Sequence, residues 1–356
     1  MNTLLIIAIC IATFFISYGV FTFCGSSSVN LGKFKIIKSP IVPFLGLGFI
    51  GCLLSYLIAP QQYDALSPTS AWTVVTAFAS AAVLSFALSR PKLQKFGYVF
   101  ILACCTLNLW ILPNDFSFSD GALPLWAEKI ILAIAWSLFA LCYNTMNAGD
   151  GILSSESLAV TIGMVLLCVI GVLPVLSGYY AAVFIALFMA LHFFMLYPAK
   201  ITLNSTQCRL LGYLLGWLGV LSAIEGSGSC FLILAMYYIF ETSVAFFKKL
   251  TFKKQYRNMA ANTFYSNLTA TGVAPKTVSD FVSRINLILM LLAGFQIYSP
   301  NNFTMIIIAF IAVFWLQQKA LSPTESGRHV LLFGNLISAL RPDNKEPTEP
   351  QEQRKK

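Results

Sequence analysis

The chain has 356 residues, of which 58% are hydrophobic and only 10% charged, with a formal net charge of +9. Soluble domains carry roughly 25% charged residues, so this composition excludes a water-soluble globular protein. Cysteine and histidine usage excludes two further classes. The nine cysteines lie mostly inside apolar runs, without the repeated close pairs of a zinc site or a secreted disulfide scaffold. The two histidines, His192 and His329, are too few for a His-based metal cluster and are read as structural or solvated residues.

In chain order, apolar runs alternate with short polar breaks. A bilayer core of about 30 Å needs roughly 20 residues of helix, because lipid offers unpaired backbone groups no partner. The pattern predicts an all-α, polytopic integral membrane domain over residues 1–320. It predicts eleven transmembrane helices, near residues 3–23, 41–59, 71–89, 97–113, 128–143, 157–175, 178–197, 210–225, 229–247, 285–298 and 303–319. The first run has neither a basic leader nor a small-residue cleavage site and reads as a retained span. Residues 321–356 form a tail. Its apolar stretch at 330–340 is too short to span and suits a membrane surface, and 341–356 is rich in Pro, Glu and Lys, a disordered composition.

An N-terminus outside the cytoplasm puts every Lys and Arg except Lys129 on the inner face. That asymmetry is the positive-inside signal, and a shift by one span would destroy it. The excess of positive charge then needs no nucleic acid. Topology and attraction to anionic lipid heads, about 1 kcal/mol per basic residue near the surface, account for it. A sharper reading is an inner face that receives an anionic substrate, such as a nucleotide sugar or a lipid phosphate.

The polar centre of the chain is the predicted inner loop 144–156, which contains Asn144, Asn147, Asp150, Gly151 and Glu156. Asn144 and Asn147 share a face if the preceding helix continues to them, while Gly149 and Gly151 permit a turn that presents Asp150. Such a group suits a magnesium-phosphate; it equally suits a plain helix-to-helix turn built on Asx bonds. Glu241 stands alone in an apolar run, about two helical turns before Lys248. Intramembrane charge is expected to be nearly confined to it, with Glu225 a solvated helix end, and the order of residues shows no inverted repeat or matched pair of Gly- or Pro-broken spans of the kind that marks transport sites.

The order of these loops resembles the polyprenyl-phosphate N-acetylhexosamine-1-phosphate transferases. This is the glycosyltransferase family 4 group, including the phospho-N-acetylmuramoyl-pentapeptide transferases, that starts peptidoglycan, common-antigen and O-antigen (lipopolysaccharide) lipid intermediates in bacteria. The family ends a span with Asn-x-x-Asp-Gly-x-Asp-Gly, and Asn144, Asn147, Asp150 and Gly151 line up with it without a gap. Its Pro-Arg-Gly-Gly-Gly entry to the second span looks like Pro43 to Gly48, and its Pro-Lys-x-Lys stretch looks like Pro91, Lys92 and Lys95. Its Phe-x-Gly-Asp-x-Gly-Ser-x-x-Leu-Gly-Phe resembles Thr202 to Tyr213, which includes Ser205. Its Asp before paired arginines resembles Glu241 before Lys248 and Lys249. The resemblance implies a bacterial inner-membrane location and the same eleven-span, N-out topology. It also implies polyprenyl phosphate and a UDP-sugar as ligands and Mg2+ as cofactor. Asp150 would be its catalytic metal ligand, with Asn144, Asn147, Gly151, Lys92, Lys95, Ser205 and Glu241 around the substrates.

The family's acids, however, are mostly replaced. Its paired Asp at the end of the third span falls near Leu84 and Ser85. Its first loop Asp-Gly has become Asn147-Ala148, and the Asp of Gly-Asp-x-Gly-Ser aligns with Ser205 or Asn204. Its His-x-His-His run falls on Thr263 to Ser266. Amides and hydroxyls bind magnesium poorly beside carboxylates, and phosphoryl transfer rests on positioning and charge stabilisation. The leading expectation is a divergent member with weakened or lost catalysis, serving as a binding or regulatory partner in a homo- or hetero-oligomer with an active homologue. Two alternatives stand beside it: an active transferase with a rebuilt site around Asp150, and a transporter or flippase.

Overall fold

The computed structural model describes residues 2–25, 41–58, 69–111, 123–147, 149, 151–196, 199–251, 263–270, 272–296 and 303–321. All regular structure among them is helical: α1 (Asn2–Gly25), α2 (Ile41–Ile58), α3 (Thr69–Leu88), α4 (Pro91–Gln94), α5 (Gly97–Ile111), α6 (Leu125–Cys142), α7 (Ile152–Val169), α8 (Val175–Met195), α9 (Ser205–Ile224), α10 (Gly228–Leu234), α11 (Met236–Thr251), α12 (Phe264–Ala270), α13 (Pro275–Phe295) and α14 (Thr304–Leu321). A 3-10 turn, Tyr143–Met146, extends α6.

Each of the eleven apolar runs coincides with a helix or, for 229–247, with the broken pair α10–α11. Seven helices are long and apolar enough to cross a membrane, and the bent pair makes an eighth if counted as one span. Three more, Trp72–Leu88, Gly97–Ile111 and Thr304–Ala320, are apolar but shorter. The protein is therefore a multi-pass helical membrane protein, and its outer faces carry large exposed hydrophobics such as Leu4, Phe15, Trp110, Val169 and Phe303. In water such a surface would be untenable.

Burial sorts the helices into a centre and a rim. In α9, 78% of the apolar window is buried within the protein, against 22% in α1. The central position of α9 follows from its small residues. A Cβ on Gly212 would stand 2.4 Å from Cβ of Tyr143, and one on Gly216 would stand 2.5 Å from the Trp136 ring, so the two glycines let α6 approach the α9 backbone. Close approach replaces the hydrophobic drive that helix pairs lack in lipid. Trp136 stacks on Tyr213 at 4.7 Å and donates its Nε1 hydrogen to the Tyr213 carbonyl at 2.7 Å. On the other side of α9, the Tyr213 hydroxyl meets Ser80 at 2.7 Å and accepts from Asn108 at 3.0 Å, joining α3 and α5.

Three sequence expectations need correction. Helix α7 begins at Ile152 rather than 157, because Gly151, at φ +78°, turns the chain directly into it. Glu156 is thus inside an apolar helix, not in a loop. Helix α13 begins at Pro275 rather than 285: proline suits the first helical turn, where its missing N–H has no partner to lose. The apolar run 229–247 is bent at Ala235, where α10 and α11 meet at 65° without a glycine or proline at the bend. Finally, Glu225 is half-buried and accepts from the Ser177 hydroxyl at 2.8 and 2.9 Å, so it is an interhelical tie between α9 and α8 rather than a solvated end. Asp150 and the tail stretch 330–340 lie outside the described residues.

Candidate functional site

The helices that end or begin at the end of the bundle carrying the basic loops enclose a cavity of about 370 Å³. Its lining comprises Ile41 and Val42 from the start of α2, Ser85, Leu88 and Ser89 from the end of α3, Gln94 from α4, and Asn204 to Gln207 from the start of α9. The α9 start is shaped by a capping box: Asn204 accepts from the Gln207 backbone at 2.9 Å, and the Gln207 side chain accepts from the Asn204 backbone at 2.8 Å. This arrangement satisfies orphan donors of the first turn and holds Ser205 and Thr206 at the cavity wall.

The cavity unites positions that the sequence placed far apart. Ser85 and Ser205, the positions that the family resemblance aligns with carboxylates, line the same space. Basic residues flank its lining in the chain. Lys92 lies in α4, Lys95 caps it and is exposed, and Arg90 sits 4.4 Å over the exposed Phe86 ring. One turn along α9 from Ser205, Arg209 lies against Gly97, and its buried Nε has no hydrogen-bond partner. The described lining offers hydroxyl and amide groups and no carboxylate.

The Mg2+ that the resemblance implies does not fit this lining, since the ion selects carboxylate and phosphate oxygens. Nor do any three His, Cys, Asp or Glu residues among the described ones converge where they could hold a metal. Hydroxyls, amides, helix starts and nearby cations suit an anion instead.

The described residues of the 144–151 loop are tied to neighbouring helices, and one bond reaches the start of α9. Asn147 donates to the carbonyl of Leu203, next to Asn204, at 2.8 Å. Asn144 contributes its carbonyl to the Asn147 backbone at 3.2 Å, closing the 3-10 turn. Thr145 meets Thr242 of α11 at 3.0 Å. Gly149 lies flat against the Tyr265 ring, 2.2 Å from where its Cβ would stand. The loop is a bonded helix connection, and its glycine gives way to an aromatic ring of α12.

Glu241 is not at the cavity. It is buried in α11, accepting from the Phe264 backbone and from Gln317 of α14 at 3.1 Å. It thereby anchors α12 and α14 to α11. Sequence reasoning missed Asn286 and Gln317 and read Glu156 as a loop residue. Their only sequence signal is a polar side chain within an apolar helical pattern, and for Glu156 the late placement of the helix start hid even that. His192 is structural: its Nδ1 meets the Ser154 hydroxyl at 2.8 Å, tying α8 to α7. Compared with models of known protein families and with curated proteins, the chain matches none.

Proposed function

We propose that this protein binds the phosphate head of a polyprenyl lipid in the basic-end cavity, as a divergent relative of the sugar-1-phosphate transferases that does not carry out their metal-assisted transfer. In this reading it spans the bacterial inner membrane eleven times, N-terminus out, and serves an active homologue as a binding or regulatory partner. One observation carries the reading: Ser85 and Ser205 meet at a single cavity whose described lining holds no carboxylate. With hydroxyls and amides in place of carboxylates among its described lining residues, the cavity keeps its preference for negative charge. The basic residues of the 90–95 segment and Arg209 supply attraction that is short-ranged and screened by salt.

The test uses the full-length protein in lipid nanodiscs. Polyprenyl phosphate should bind saturably and more weakly at high salt, while UDP-sugars with magnesium should yield no lipid-linked sugar and no uridine monophosphate. Magnesium-dependent turnover that Asp150→Ala abolishes would sink the non-catalytic reading and favour a transferase rebuilt around Asp150. A second reading, ion-coupled transport, draws on the 65° break between α10 and α11 and the buried carboxylates beside it. Half-helices of this kind build ion sites in transporters, and substrate flux in proteoliposomes measures it directly.

A further inference from the structure

Beside the α10–α11 break lies a buried carboxyl that the lipid-binding reading does not use. Glu156, on the second turn of α7, is 0% exposed. Its Oε2 accepts from Nδ2 of Asn286 on α13 at 2.7 Å. Two acceptors remain: Oε1 of Glu156 and Oδ1 of Asn286 are both buried and without a hydrogen-bond partner. Asn286 is itself only 2% exposed. Two orphan acceptors on groups already joined at one corner leave a deficit of one donor.

The surroundings supply no charge to offset an ionised Glu156. The 3-10 turn presents the Tyr143 hydroxyl, which is engaged with Ser157 at 2.6 Å. From α11 come Tyr237, Tyr238 and, beyond Tyr237, Glu241, which is a second acid. The Tyr238 backbone N–H, in the first turn of α11, approaches the carboxyl. On α8, His192 is taken up by Ser154. On α13, Arg284 is two residues from Asn286, about 200° around the helix and so on another face. From α10, Cys230 faces the Ala293 carbonyl. An isolated charge buried in this way is costly.

We propose that Glu156 and Asn286 form a proton-binding site. Oε1 of Glu156 carries a proton taken from bulk water and donates it to Oδ1 of Asn286, while Asn286 Nδ2 donates to Oε2. The pair becomes a two-point acid–amide contact that leaves neither orphan. A proton fits the deficit better than a metal ion, because two free oxygens are far short of the six or more that hard cations gather. Release of the proton returns it to water and leaves a buried charge and an unpaired Asn286 oxygen, so occupancy of the site holds α7 and α13 together. This inference rests on residues distinct from the lipid cavity and stands or falls independently of it.

Infrared spectroscopy of the full-length protein in nanodiscs tests it through the carbonyl stretch of protonated carboxyl groups. At pH 7 the wild type should show a band of this class that is absent from E156Q. The band should move in N286L and stay unchanged when sodium is exchanged for choline. Identical spectra for the wild type and E156Q in this region would overturn the proposal, because Glu156 would then be ionised. A band that sodium removes at constant pH would overturn it in favour of a cation site. Glutamine has nearly the shape of the protonated acid, so E156Q retains the fold, and its comparison with the wild type decides occupancy even if N286L does not fold.

Discussion

Two polar regions of the fold solve opposite problems. The basic-end cavity is open, lined by hydroxyls and amides, and flanked in the chain by basic residues. The Glu156–Asn286 pair is sealed among apolar helices, with Tyr143, Tyr237 and Tyr238 around it. Hydroxyls and amides in the cavity keep water as an alternative partner, so their loss removes little from the fold. Groups in the sealed pair have no alternative, so each partner matters to the other. The difference teaches that polar content alone says little about function here, and that access to water separates a site built for a ligand from one built to be self-satisfied.

The sharpest way to break this comparison is Asn286→Leu. It removes the donor to a carboxyl that cannot reach water and should cost about 1–3 kcal/mol, measured by thermal unfolding in detergent. A loss indistinguishable from zero would mean that the pair is not sealed. Next, Asn147→Ala takes away the bond to the Leu203 carbonyl beside the start of α9. It should cost about 0.5–1.5 kcal/mol and weaken lipid-phosphate binding by loosening the start of α9.

A smaller and pH-dependent effect belongs to Glu225, which bonds Ser177 at the far end of α9. Burial pushes its carboxyl up to about 7, against a partial pull downward from the Ser177 hydroxyl. The folded protein therefore holds this proton while the unfolded chain releases it. Stability is greatest below the ordinary carboxylate value of 4.5 and falls as pH rises from there to about 7. Glu225→Gln should flatten that slope in unfolding measured across the same range. The smallest stability effect is expected at the cavity: Ser85→Ala and Ser205→Ala should each stay within about 0.5 kcal/mol of the parent while reducing polyprenyl-phosphate binding. A large stability loss there would erase the contrast between the open and the sealed region.

Much of the fold is legible in the amino-acid order because lipid allows few solutions. A run such as residues 3–23 or 41–59 has to be helical to satisfy its backbone, and all eleven runs do contain helices. Boundaries were harder to read where a polar residue begins an apolar helix. Ser154, Ser155 and Glu156 look like loop residues, yet Gly151 starts the helix before them. The break at Ala235 left no proline or glycine at the bend to announce it. The candidate cavity was partly legible, since Ser205 was marked by its loop and the loss of acid at Ser85 was visible. Their meeting in one space was not, because nothing in the order of the chain joins the end of α3 to the start of α9.

Composition and periodicity by themselves determined that this is a multi-pass helical membrane protein. Those properties are set by transfer of side chains and backbone out of water, and each segment obeys them alone. Which polar groups meet was decided only by tertiary structure. Glu156 finds Asn286 across 130 residues, and Ser85 and Ser205 share a wall because α9 is central and its glycines admit close neighbours. Pairing of that kind depends on helix rotation and approach, and the alternation of apolar and polar residues along the chain carries little information about either.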